Sequence, residues 1–469
     1  MSDKYHIQTV VTPGHFHRVG KYGSIDWRED CSRCTNCVKH RCVYDVYKHE
    51  SAHNRDPSAA IQTLYACKAC LSCVQGCTKG LLAIGVNPEY LGMGDDYWNP
   101  DLIATTWNQA DTGRIPVSGA GYRGRFSGPG FDSIWTDMSE IVRPTRDGIH
   151  GREYISTMVD IGTKPMRLSF GPDGRMTCAG ASLVEIQLPA LLDVPARPMP
   201  GNVLSLARAA SAHKLRTLAV IPAEHVAAIP AEQLASVVPL ISGERTLELC
   251  RQALPRVRMV ELAGAGDMEA LAQKVAEINP RAILVLRMDL LAGTADRVSS
   301  LAWGIFKVFH LNADLHGCER LADGSRGRHI KDALREIHGR LVKDGRRDEI
   351  TLIVGGGIAL AEHMAKAIIC GADLVAVSTP LLVSLGCRVC RDTPEGVCGS
   401  SQCLADLGSA ELPYATQRMT NLMGAWHSQL IEVLGAMGIR EVRRLRGEVG
   451  RAMFLEDIEK EAFGDLVRK

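Results

Sequence analysis

The chain of 469 residues has few aromatic side chains and almost no net charge. Phe, Trp and Tyr make up 5% of it, and 54 Lys and Arg stand against 53 Asp and Glu, a formal net charge of +1. This balance excludes the basic surface typical of nucleic-acid binding or of adhesion to anionic membranes. No apolar run approaches the roughly 18 residues that a membrane-spanning helix needs. The first residues, MSDKYHIQ, have no basic region followed by an apolar stretch, so we expect no secretory signal and a cytoplasmic protein.

Cysteine, in contrast, is abundant and clustered. Twelve of the 16 cysteines lie in three groups, of which the first two read C-x2-C-x2-C-x4-C and C-x2-C-x2-C-x3-C. The groups are Cys31, Cys34, Cys37 and Cys42, then Cys67, Cys70, Cys73 and Cys77, then Cys387, Cys390, Cys398 and Cys403. Disulfide frameworks are typical of short secreted chains, so clustered thiols in a long chain without a signal sequence indicate metal ligands.

The spacing of the first two groups is typical of a ferredoxin module with two [4Fe-4S] clusters. In such modules the fourth cysteine of each run ligates the other cluster. The predicted ligand sets are therefore Cys31, Cys34, Cys37 and Cys77 for one cluster, and Cys67, Cys70, Cys73 and Cys42 for the second. Zinc or unligated thiols are the alternative, although zinc sites usually separate their cysteine pairs by a longer loop. Val43 and Thr78 replace the proline that usually follows the fourth cysteine.

Composition divides the chain into four segments. We predict a two-cluster ferredoxin-like domain at 1–95, a covering or linker segment at 96–160, a barrel at 161–386, and a cysteine cluster with helices at 387–469. The second segment contains a G-x-G-x-x-G pattern at Gly119, Gly121 and Gly124. No strand and helix flank this pattern, so it does not predict a dinucleotide site.

From about residue 200, helical and strand patterns alternate. Helices are predicted over 202–214, 268–278, about 329–343 and 360–369, and strands over 217–221, 282–286, 306–310, 350–354 and 373–378. Short apolar strands separated by helices predict an α/β fold with parallel strands, and their number suits a (β/α)8 TIM-type barrel. A doubly wound open sheet is the alternative, because the first strands are poorly marked. Apolar residues at helical spacing predict a last helix packed on the barrel: Met419, Leu422, Met423, Trp426, Leu430, Val433, Leu434 and Met437.

Three consecutive glycines, Gly355, Gly356 and Gly357, stand between a predicted strand and a predicted helix. Glycines at such a position let backbone N–H groups approach a phosphate at a helix N-terminus. The next strand ends at Ser378 and Thr379, which add hydroxyl groups. In a barrel the loops after the last two strands form the usual phosphate site, which would suit the phosphate of FMN. A glycine turn at a crowded barrel rim is the structural alternative.

Several stretches resemble the FMN-binding domain of glutamate synthase. They are LREIHGRLVKDGRRDEITLIVGGGI (334–358), GADLVAVSTPLLVSLGC (371–387), EINPRAILVLRMDL (277–290) and GAMGIREV (435–442). The segment at 131–162 is similar to the start of that domain in the shorter, archaeal-type large-subunit family, whose members also carry an N-terminal two-cluster ferredoxin module. The resemblance implies a barrel that binds FMN beside an additional Fe–S cluster, and reductive conversion of 2-oxoglutarate to glutamate with ammonia.

The sequence departs from this family in the segments that line the flavin. RPMPGNVLS (197–205) and AVIPAEH (219–225) replace two of them, and Ala359, Leu360 and Ala361 replace an Arg-Thr-Gly after the glycines. Arg287 stands where a lysine is expected beside the flavin, which keeps a cation but changes its geometry. The family's glutaminase domain has no counterpart in this sequence, so we expect no glutamine hydrolysis by that route.

The third cysteine group also departs from the family pattern, C-x5-C-x4-C, which holds a [3Fe-4S] cluster. Cys387 and Cys398 fit its outer positions, and Thr393 occupies the middle one. Cys390 and Cys403 bring the number of thiols to four, which permits [4Fe-4S], with zinc as the alternative.

A polar loop replaces a glycine-rich loop of the family. It contains His310, Asp314, His316 and Cys318, which are candidates for acid–base chemistry or metal binding, or for a solvated or capping role. His338 is predicted to be structural. The scattered cysteines are predicted to be small buried hydrophobes: Cys178, Cys250 and Cys370.

Two functions follow from these patterns. In the first, the protein is an oxidoreductase whose clusters pass electrons to FMN, and the predicted flavin ligands are Gly355, Gly356, Gly357, Thr379 and Arg287. Because no NAD module is recognisable, a separate reductase subunit or a ferredoxin would supply the electrons. In the second, the barrel has lost its flavin, and the chain is a non-catalytic electron-relay subunit of a larger redox complex. The sequence leaves the catalytic residues unassigned.

Overall fold

A computed structural model describes most of the chain. The described residues are 5–16, 18–27, 38–44, 70–115, 130–136, 154–164, 169–175, 182–195, 201–264, 266–321, 325–390 and 411–464. They fall into two compact units. The barrel unit comprises Met1–Pro13, Thr106–Cys387 and Thr393–Lys469, and the N-terminal unit comprises Gly14–Thr105 and Arg388–Asp392. Within the described ranges, no helix is both long enough and apolar enough to cross a membrane.

Eight parallel strands close into a barrel. They are β1 (Ala190–Leu192), β2 (Ala219–Pro222), β3 (Val237–Ile241), β4 (Met259–Leu262), β5 (Ile283–Asp289), β6 (Val308–Asn312), β7 (Thr351–Gly355) and β8 (Leu374–Val377). Each strand pairs with the next one, and β8 returns to β1, where Val375 pairs with Ala190. The predicted (β/α)8 barrel is confirmed, and the open-sheet alternative is wrong because the ring is closed.

Helices follow the strands around the ring. They are α1 (Val203–Lys214), α2 (Ala223–Val226), α3 (Glu244–Cys250), α4 (Met268–Ile278), α5 (Thr294–Leu301), α6 (Ile330–Lys343), α7 (Ala361–Ile369) and α8 (Thr379–Ser384). The Asp267 side chain caps α4 by accepting the N–H groups of Glu269 and Ala270, which supplies partners for two of the unsatisfied donors of the first turn. In α6, Ile330, Leu334, Ile337 and Leu341 are buried at helical spacing, so one apolar face packs inward.

An antiparallel hairpin covers the amino end of the barrel. Its strands are Val159–Thr163 and Ser182–Ile186. Thr351, the first residue of β7, donates its hydroxyl to the Gly162 carbonyl at 3.1 Å and accepts the Gly162 N–H at 3.2 Å. The φ angle of Gly162 is 128°, and a Cβ there would lie 2.1 Å from the Ser182 carbonyl oxygen, so glycine is required. Among the described residues, the cavity of the barrel lies at the opposite, carboxyl end.

The last long helix, Leu412–Ala436, packs on α1, α7 and α8. Met419, Leu422, Met423 and Trp426 are fully buried, which confirms the predicted helix and its apolar face. The chain then forms two short 3-10 helices, Val442–Gly447 and Val449–Arg451, the strand Ala452–Phe454 and the helix Leu455–Phe463. The strand Ala452–Phe454 pairs with Ile134–Thr136. The unit also contains the 3-10 helices Gly130–Ser133, Ala231–Ser236, Leu254–Arg256 and Arg347–Glu349, and a hairpin of Cys318–Arg320 with Arg326–His329.

The N-terminal unit contains a two-stranded antiparallel sheet, Tyr22–Trp27 with Leu82–Val86. Its helices are short: Val38–Arg41, Ser72–Gln75 and Pro88–Leu91, followed by the first turns of Pro100–Thr112. Asn87 caps the third helix by accepting the Glu89 N–H at 3.0 Å. The division into four segments stays a prediction.

Two histidines, the half-buried His338 and the buried His427, are expected to make the stability of the barrel unit depend on pH. Burial, with Arg347 next in importance, lowers the pKa of His338 to about 4, and Arg347 Nε donates to its Nδ1 at 3.0 Å. Burial also lowers the pKa of His427 to about 4. Below pH 6.5, the ordinary pKa of histidine, both histidines bind a proton in the unfolded chain but stay neutral in the folded protein. Because protons then bind preferentially to the unfolded state, acid favours unfolding.

We expect the free energy of unfolding to fall between pH 7 and pH 4, and to be fully retained above pH 7. Urea unfolding followed by circular dichroism at several pH values measures the slope. His338→Gln keeps an acceptor for Arg347 but cannot titrate, so its slope should be smaller than that of the wild type. If the slope were unchanged in this variant, the titration of His338 would not contribute to the pH dependence of stability.

Candidate active site at the carboxyl end of the barrel

A cavity of about 310 Å³ lies at the carboxyl end of the barrel. Its walls come from the ends of β1, β3, β5, β6, β7 and β8 and from the loops that follow them. The lining residues are Val194, Pro195, Leu240, Arg287, Asn312, Ala313, Asp314, Leu315, Arg320, Gly356, Ser378 and Thr379. The carboxyl end is where TIM barrels place their active sites. The structure therefore brings Arg287, Gly356 and Thr379, three of the predicted flavin ligands, to one cavity.

The glycine turn after β7 adopts a conformation that favours glycine. The φ angles of Gly356 and Gly357 are 90° and 66°. A Cβ on Gly356 would lie 2.6 Å from the Asp314 carbonyl oxygen, and a Cβ on Gly357 would lie 2.6 Å from Gly317 Cα. The loop after β6 thus rests directly on this turn. Both glycines allow this close packing, and Gly356 also leaves backbone without a side chain at the cavity wall.

The loop after β6 is held by its own polar groups. Asp314 Oδ1 accepts the N–H of His316 at 2.9 Å and that of Cys318 at 2.6 Å. Arg326 donates to His316 Nε2 at 3.1 Å. Burial, followed by the charge of Asp314, raises the pKa of Cys318 to about 11, so its thiol stays protonated at neutral pH. Of the four polar candidates in this segment, Asp314 alone lines the cavity.

Beneath the cavity lies a cluster of charged residues in which Arg287 and His310 were predicted site residues and the carboxylates Asp193 and Glu261 were not. Arg287 on β5 forms a bidentate ion pair with Asp193, with Nη1–Oδ1 and Nη2–Oδ2 distances of 2.8 and 3.0 Å. Its Nη1 also donates to Glu261 Oε1 on β4 at 2.9 Å. His310 Nδ1 on β6 lies 3.1 Å from the same oxygen. Arg287 therefore shares its positive charge with two carboxylates and is not a free cation for a ligand.

Burial opposes ionisation of both carboxyl groups, but the neighbouring charges outweigh it. Arg287 and His310 hold the pKa of Asp193 below its usual value, and His310 and Arg287 do the same for Glu261. Burial likewise opposes the charge of Arg287, yet Asp193 and Glu261 raise its pKa. Both carboxylates and the guanidinium are thus charged at neutral pH. One signal in the sequence could have revealed the cluster, because Glu261 interrupts the apolar strand MVEL.

A second polar pair supports the glycine turn from behind. The Ala359 N–H donates to His363 Nδ1 at 3.2 Å, so the proton of this imidazole is on Nε2, which lies 2.9 Å from Asp132 Oδ1. Asp132, Glu362 and His363 also have the spacing of a metal-ligand set. Because both imidazole nitrogens of His363 have partners within the chain, the pair needs no metal ion. No pattern in the sequence predicted this contact, because the two residues are 231 positions apart.

In the N-terminal unit, the residue after Cys42 lies beside Cys70 of the second cysteine run. The hydrogen bond between Cys70 Sγ and Ser72 Oγ, at 3.5 Å, and then backbone hydrogen bonds, among them one with Val43, lower the pKa of Cys70. Val43 follows Cys42, so the end of the first run lies beside the second run, as the crossed ligand assignment requires. Cys77 Sγ accepts the Leu81 N–H at 3.3 Å. Cys31, Cys34, Cys37, Cys67, Cys398 and Cys403 lie outside the described residues, so the three cluster assignments stay predictions.

The structure also describes three residues that were predicted to be structural, namely Cys250, Cys370 and His338. Cys250 and Cys370 are buried, and burial raises their pKa values to about 11 and about 12, which confirms the prediction of inert small hydrophobes. Cys178 lies outside the described residues. His338 accepts a hydrogen bond from Arg347 within the scaffold, which confirms its structural role.

Comparison with known proteins finds relatives that match the part of the chain around the cavity. Residues 321–440 match the conserved region in glutamate synthase, a span that includes the glycine turn and Thr379. An archaeal-type glutamate synthase [NADPH] of Dehalococcoides mccartyi is 24% identical over 90% of this chain and 93% of its own length. The archaeal glutamate synthase [NADPH] of Archaeoglobus fulgidus is 23% identical over 96% of this chain and 98% of its own length.

The chain is a relative of the archaeal-type glutamate synthases. The resemblance predicted from the sequence is confirmed by these matches, and the name that the relatives carry, glutamate synthase [NADPH], is that of an oxidoreductase. Among solved structures, a mandelate oxidase is 14% identical, covers 78% of this chain and 94% of its own, and has a TM-score of 0.40. The barrel of this glutamate synthase relative is established by its own strand order and not by that likeness.

Proposed function

We propose that this glutamate synthase relative is an iron–sulfur, FMN-dependent oxidoreductase that reduces 2-oxoglutarate in the presence of ammonia to give glutamate. The observation that carries the proposal is the cavity at the carboxyl end of the barrel. It joins Gly356 of the glycine turn, Thr379 after β8 and Arg287 of β5. Its relatives are named glutamate synthases, which supports glutamate as the product.

The residues at the cavity fit the phosphate of FMN. Gly356 presents backbone without a side chain, and Ser378 and Thr379 present hydroxyl groups. The volume of about 310 Å³ lies within the range of small-molecule pockets. FMN would supply the conversion of single electrons into a two-electron reduction. The chain would supply the phosphate ligands, a wall of Val194, Pro195 and Leu240 that excludes water, and a fixed polar floor beneath Arg287.

Electrons would enter through the two N-terminal [4Fe-4S] clusters and pass the third cluster before reaching the barrel. The approach of Val43 to Cys70 supports the crossed ligand sets, and thiolates that accept backbone N–H groups, as Cys77 does, are expected at Fe–S clusters. A reductase subunit or a ferredoxin would donate the electrons.

A flavin-free relay subunit is the second candidate, and one observation favours it. Gly356 and Gly357 are required by contact with the loop after β6, whether or not a phosphate binds. The family's phosphate turn could therefore persist in a barrel that has lost its cofactor.

Cofactor content of anaerobically purified protein separates the two. We expect about one FMN and about twelve irons per chain, with matching sulfide. The loaded protein, given 2-oxoglutarate, ammonium and a chemically reduced electron donor, should form glutamate. Iron without flavin would favour the relay function, and zinc with little iron would contradict both. Cys73→Ser, which alters one predicted cluster, should lower the iron by about four per chain but leave the flavin unchanged, whereas the buried, unassigned Cys250→Ser should change neither.

A further inference from the structure

The C-terminal helix Leu455–Phe463 lies on the surface of the barrel unit but forms an ion pair with a buried residue. No residue of this helix, all of which the structure describes, is itself buried. Its Glu456 is 55% exposed and pairs with Lys331 on α6, whose side chain is 3% exposed. Burial opposes ionisation of Glu456, but hydrogen bonds, first among them that from Lys331, lower its pKa. An exposed carboxylate therefore neutralises an ammonium group inside the protein.

Lys331 depends on Glu456 for this charge compensation. Lys331 Nζ lies 2.5 Å from Glu456 Oε1, whereas the other carboxylate oxygen near it among the described residues, Asp332 Oδ2, is 4.0 Å away. A buried charge that loses its partner is strongly destabilising. Lys331 Nζ also donates to Ser133 Oγ at 2.7 Å, and this oxygen lies 3.2 Å from Glu456 Oε2. The three side chains are in mutual contact, so a change at Glu456 disturbs Ser133.

Ser133 is the last residue of the 3-10 helix Gly130–Ser133, which is packed between α6 and α7. Phe131 is fully buried in this helix. Its ring meets the ring of His329, the residue before α6, edge to face at 4.9 Å between centroids, and it lies 5.4 Å from the ring of His363 on α7. Because close-packed interiors transmit displacements, a movement of Ser133 is passed to the rest of the 3-10 helix.

The 3-10 helix Gly130–Ser133 supports the glycine turn through two sets of contacts, of which the first is polar. Asp132 Oδ1 lies 2.9 Å from His363 Nε2. His363 Nδ1 in turn accepts the N–H of Ala359 at 3.2 Å. Ala359 comes two residues after Gly357, so this chain of hydrogen bonds fixes the backbone where the turn leads into α7.

The second set of contacts is close packing. A Cβ on Gly130 would lie 2.5 Å from His329 Nε2, and a Cβ on Gly317 would lie 2.7 Å from the same atom. Gly317 is in the loop after β6, and a Cβ on Gly357 would lie 2.6 Å from its Cα. The 3-10 helix, His329, this loop and the glycine turn are thus stacked with no room for an added methyl group.

We propose that Glu456 is a positioning residue for the phosphate site at the glycine turn, and that it acts through the 3-10 helix Gly130–Ser133. The proposal rests on the proposed function, in which this turn holds the phosphate of FMN. With Glu456 in place, Lys331 and Ser133 are fixed, and both sets of contacts keep the turn in one conformation. Without its charge, Lys331 turns toward solvent and the 3-10 helix loosens. A helix that contributes no residue to the cavity wall therefore strengthens cofactor binding.

Hydrogen–deuterium exchange of the purified full-length protein tests this link without turnover. Glu456→Gln keeps the size of an exposed side chain, so the variant is expected to fold. Amide exchange in peptides that contain Ala359 should be at least about fivefold faster than in the wild type, the lower end of typical coupling between sites. Asp457→Asn removes the 3.6 Å ion pair of the same helix with Arg335 and should leave this exchange unchanged. Unchanged exchange in Glu456→Gln, or an equal rise in both variants, would overturn the proposal.

The Kd of FMN provides the second measurement, by quenching of flavin fluorescence after the flavin has been removed by dialysis. Glu456→Gln should raise this Kd at least about fivefold. In an Asp132→Ala background the same substitution should raise it by a smaller factor, because the polar contacts to the turn are already lost. Equal factors in the two backgrounds would contradict the proposed route. If the wild type binds no FMN while the difference in exchange persists, the proposed function fails and the link from Glu456 to the turn stands.

Discussion

Replacing Arg287 with methionine is expected to lower the free energy of unfolding by about 3–5 kcal/mol, the usual cost of removing one partner from a buried ion pair. Arg287 is the shared partner of two ionised carboxylates, Asp193 and Glu261, which are 3% and 0% exposed. Methionine preserves most of the side-chain length but none of the charge. Two carboxylates that repel each other would then remain inside the barrel.

The loss of stability in Arg287→Met should become smaller as the pH falls. In the wild type the pKa values of Asp193 and Glu261 lie below their usual values, so their contribution to stability is present above the unfolded-state pKa and is lost as the pH falls through the folded-state values. In Arg287→Met these carboxyl groups lose their counter-charge and can protonate at higher pH. The difference between the two proteins should therefore be largest near pH 7 and shrink toward pH 4.

Urea unfolding at pH 7.5 and pH 5 measures this difference. Arg245→Met removes an exposed arginine on α3 and should change stability by less than about 0.5 kcal/mol at either pH. A deficit in Arg287→Met that is equal at both pH values would mean lost packing, not lost charge compensation.

Gly356→Ala is expected to abolish the proposed binding of FMN and to destabilise the protein by about 1–3 kcal/mol. The φ angle of 90° is strained for alanine, and the new Cβ would lie 2.6 Å from a backbone oxygen, Asp314 O, which cannot rotate away. The turn or the loop after β6 must shift, and either shift alters the proposed phosphate site. Flavin fluorescence after acid extraction and urea unfolding measure the two effects on one sample.

A matched glycine provides the control. Gly339 lies in α6, and a Cβ there would meet no atom within 4 Å. Gly339→Ala should therefore retain the flavin and gain about 0.5–1 kcal/mol from helix propensity. If Gly356→Ala retained a full complement of flavin, the glycine turn would be a packing device only.

The sequence predicted the second half of the barrel better than the first half. β5 to β8 are apolar runs bounded by helical patterns, and each was placed to within a few residues. β1 has three residues, and β3 contains Pro239, which argues against a central strand. Neither strand therefore has a recognisable local sequence pattern. These segments form strands because the ring closes around them, and not because of residue propensity.

The residues of the candidate site also fall into those that the sequence predicted and those that it did not. The glycine turn and Thr379 are continuous motifs next to strand ends, and pattern alone located them at the cavity. The cluster around Arg287 joins residues from β4, β5, β6 and the end of β1, so their proximity depends on the register of the whole barrel. His363 and Asp132 are separated by 231 positions. Contacts of this kind follow from tertiary structure, which periodicity does not encode.

The pairing of Val375 with Ala190 has a consequence for biosynthesis. During translation β1 emerges from the ribosome long before β8 does, and it carries a strand edge with no partner until nearly the whole barrel has been made. Exposed edges are templates for aggregation, and distant pairings form slowly. Nascent or truncated chains that stop before Leu374 are therefore expected to depend on chaperones and to be insoluble without them.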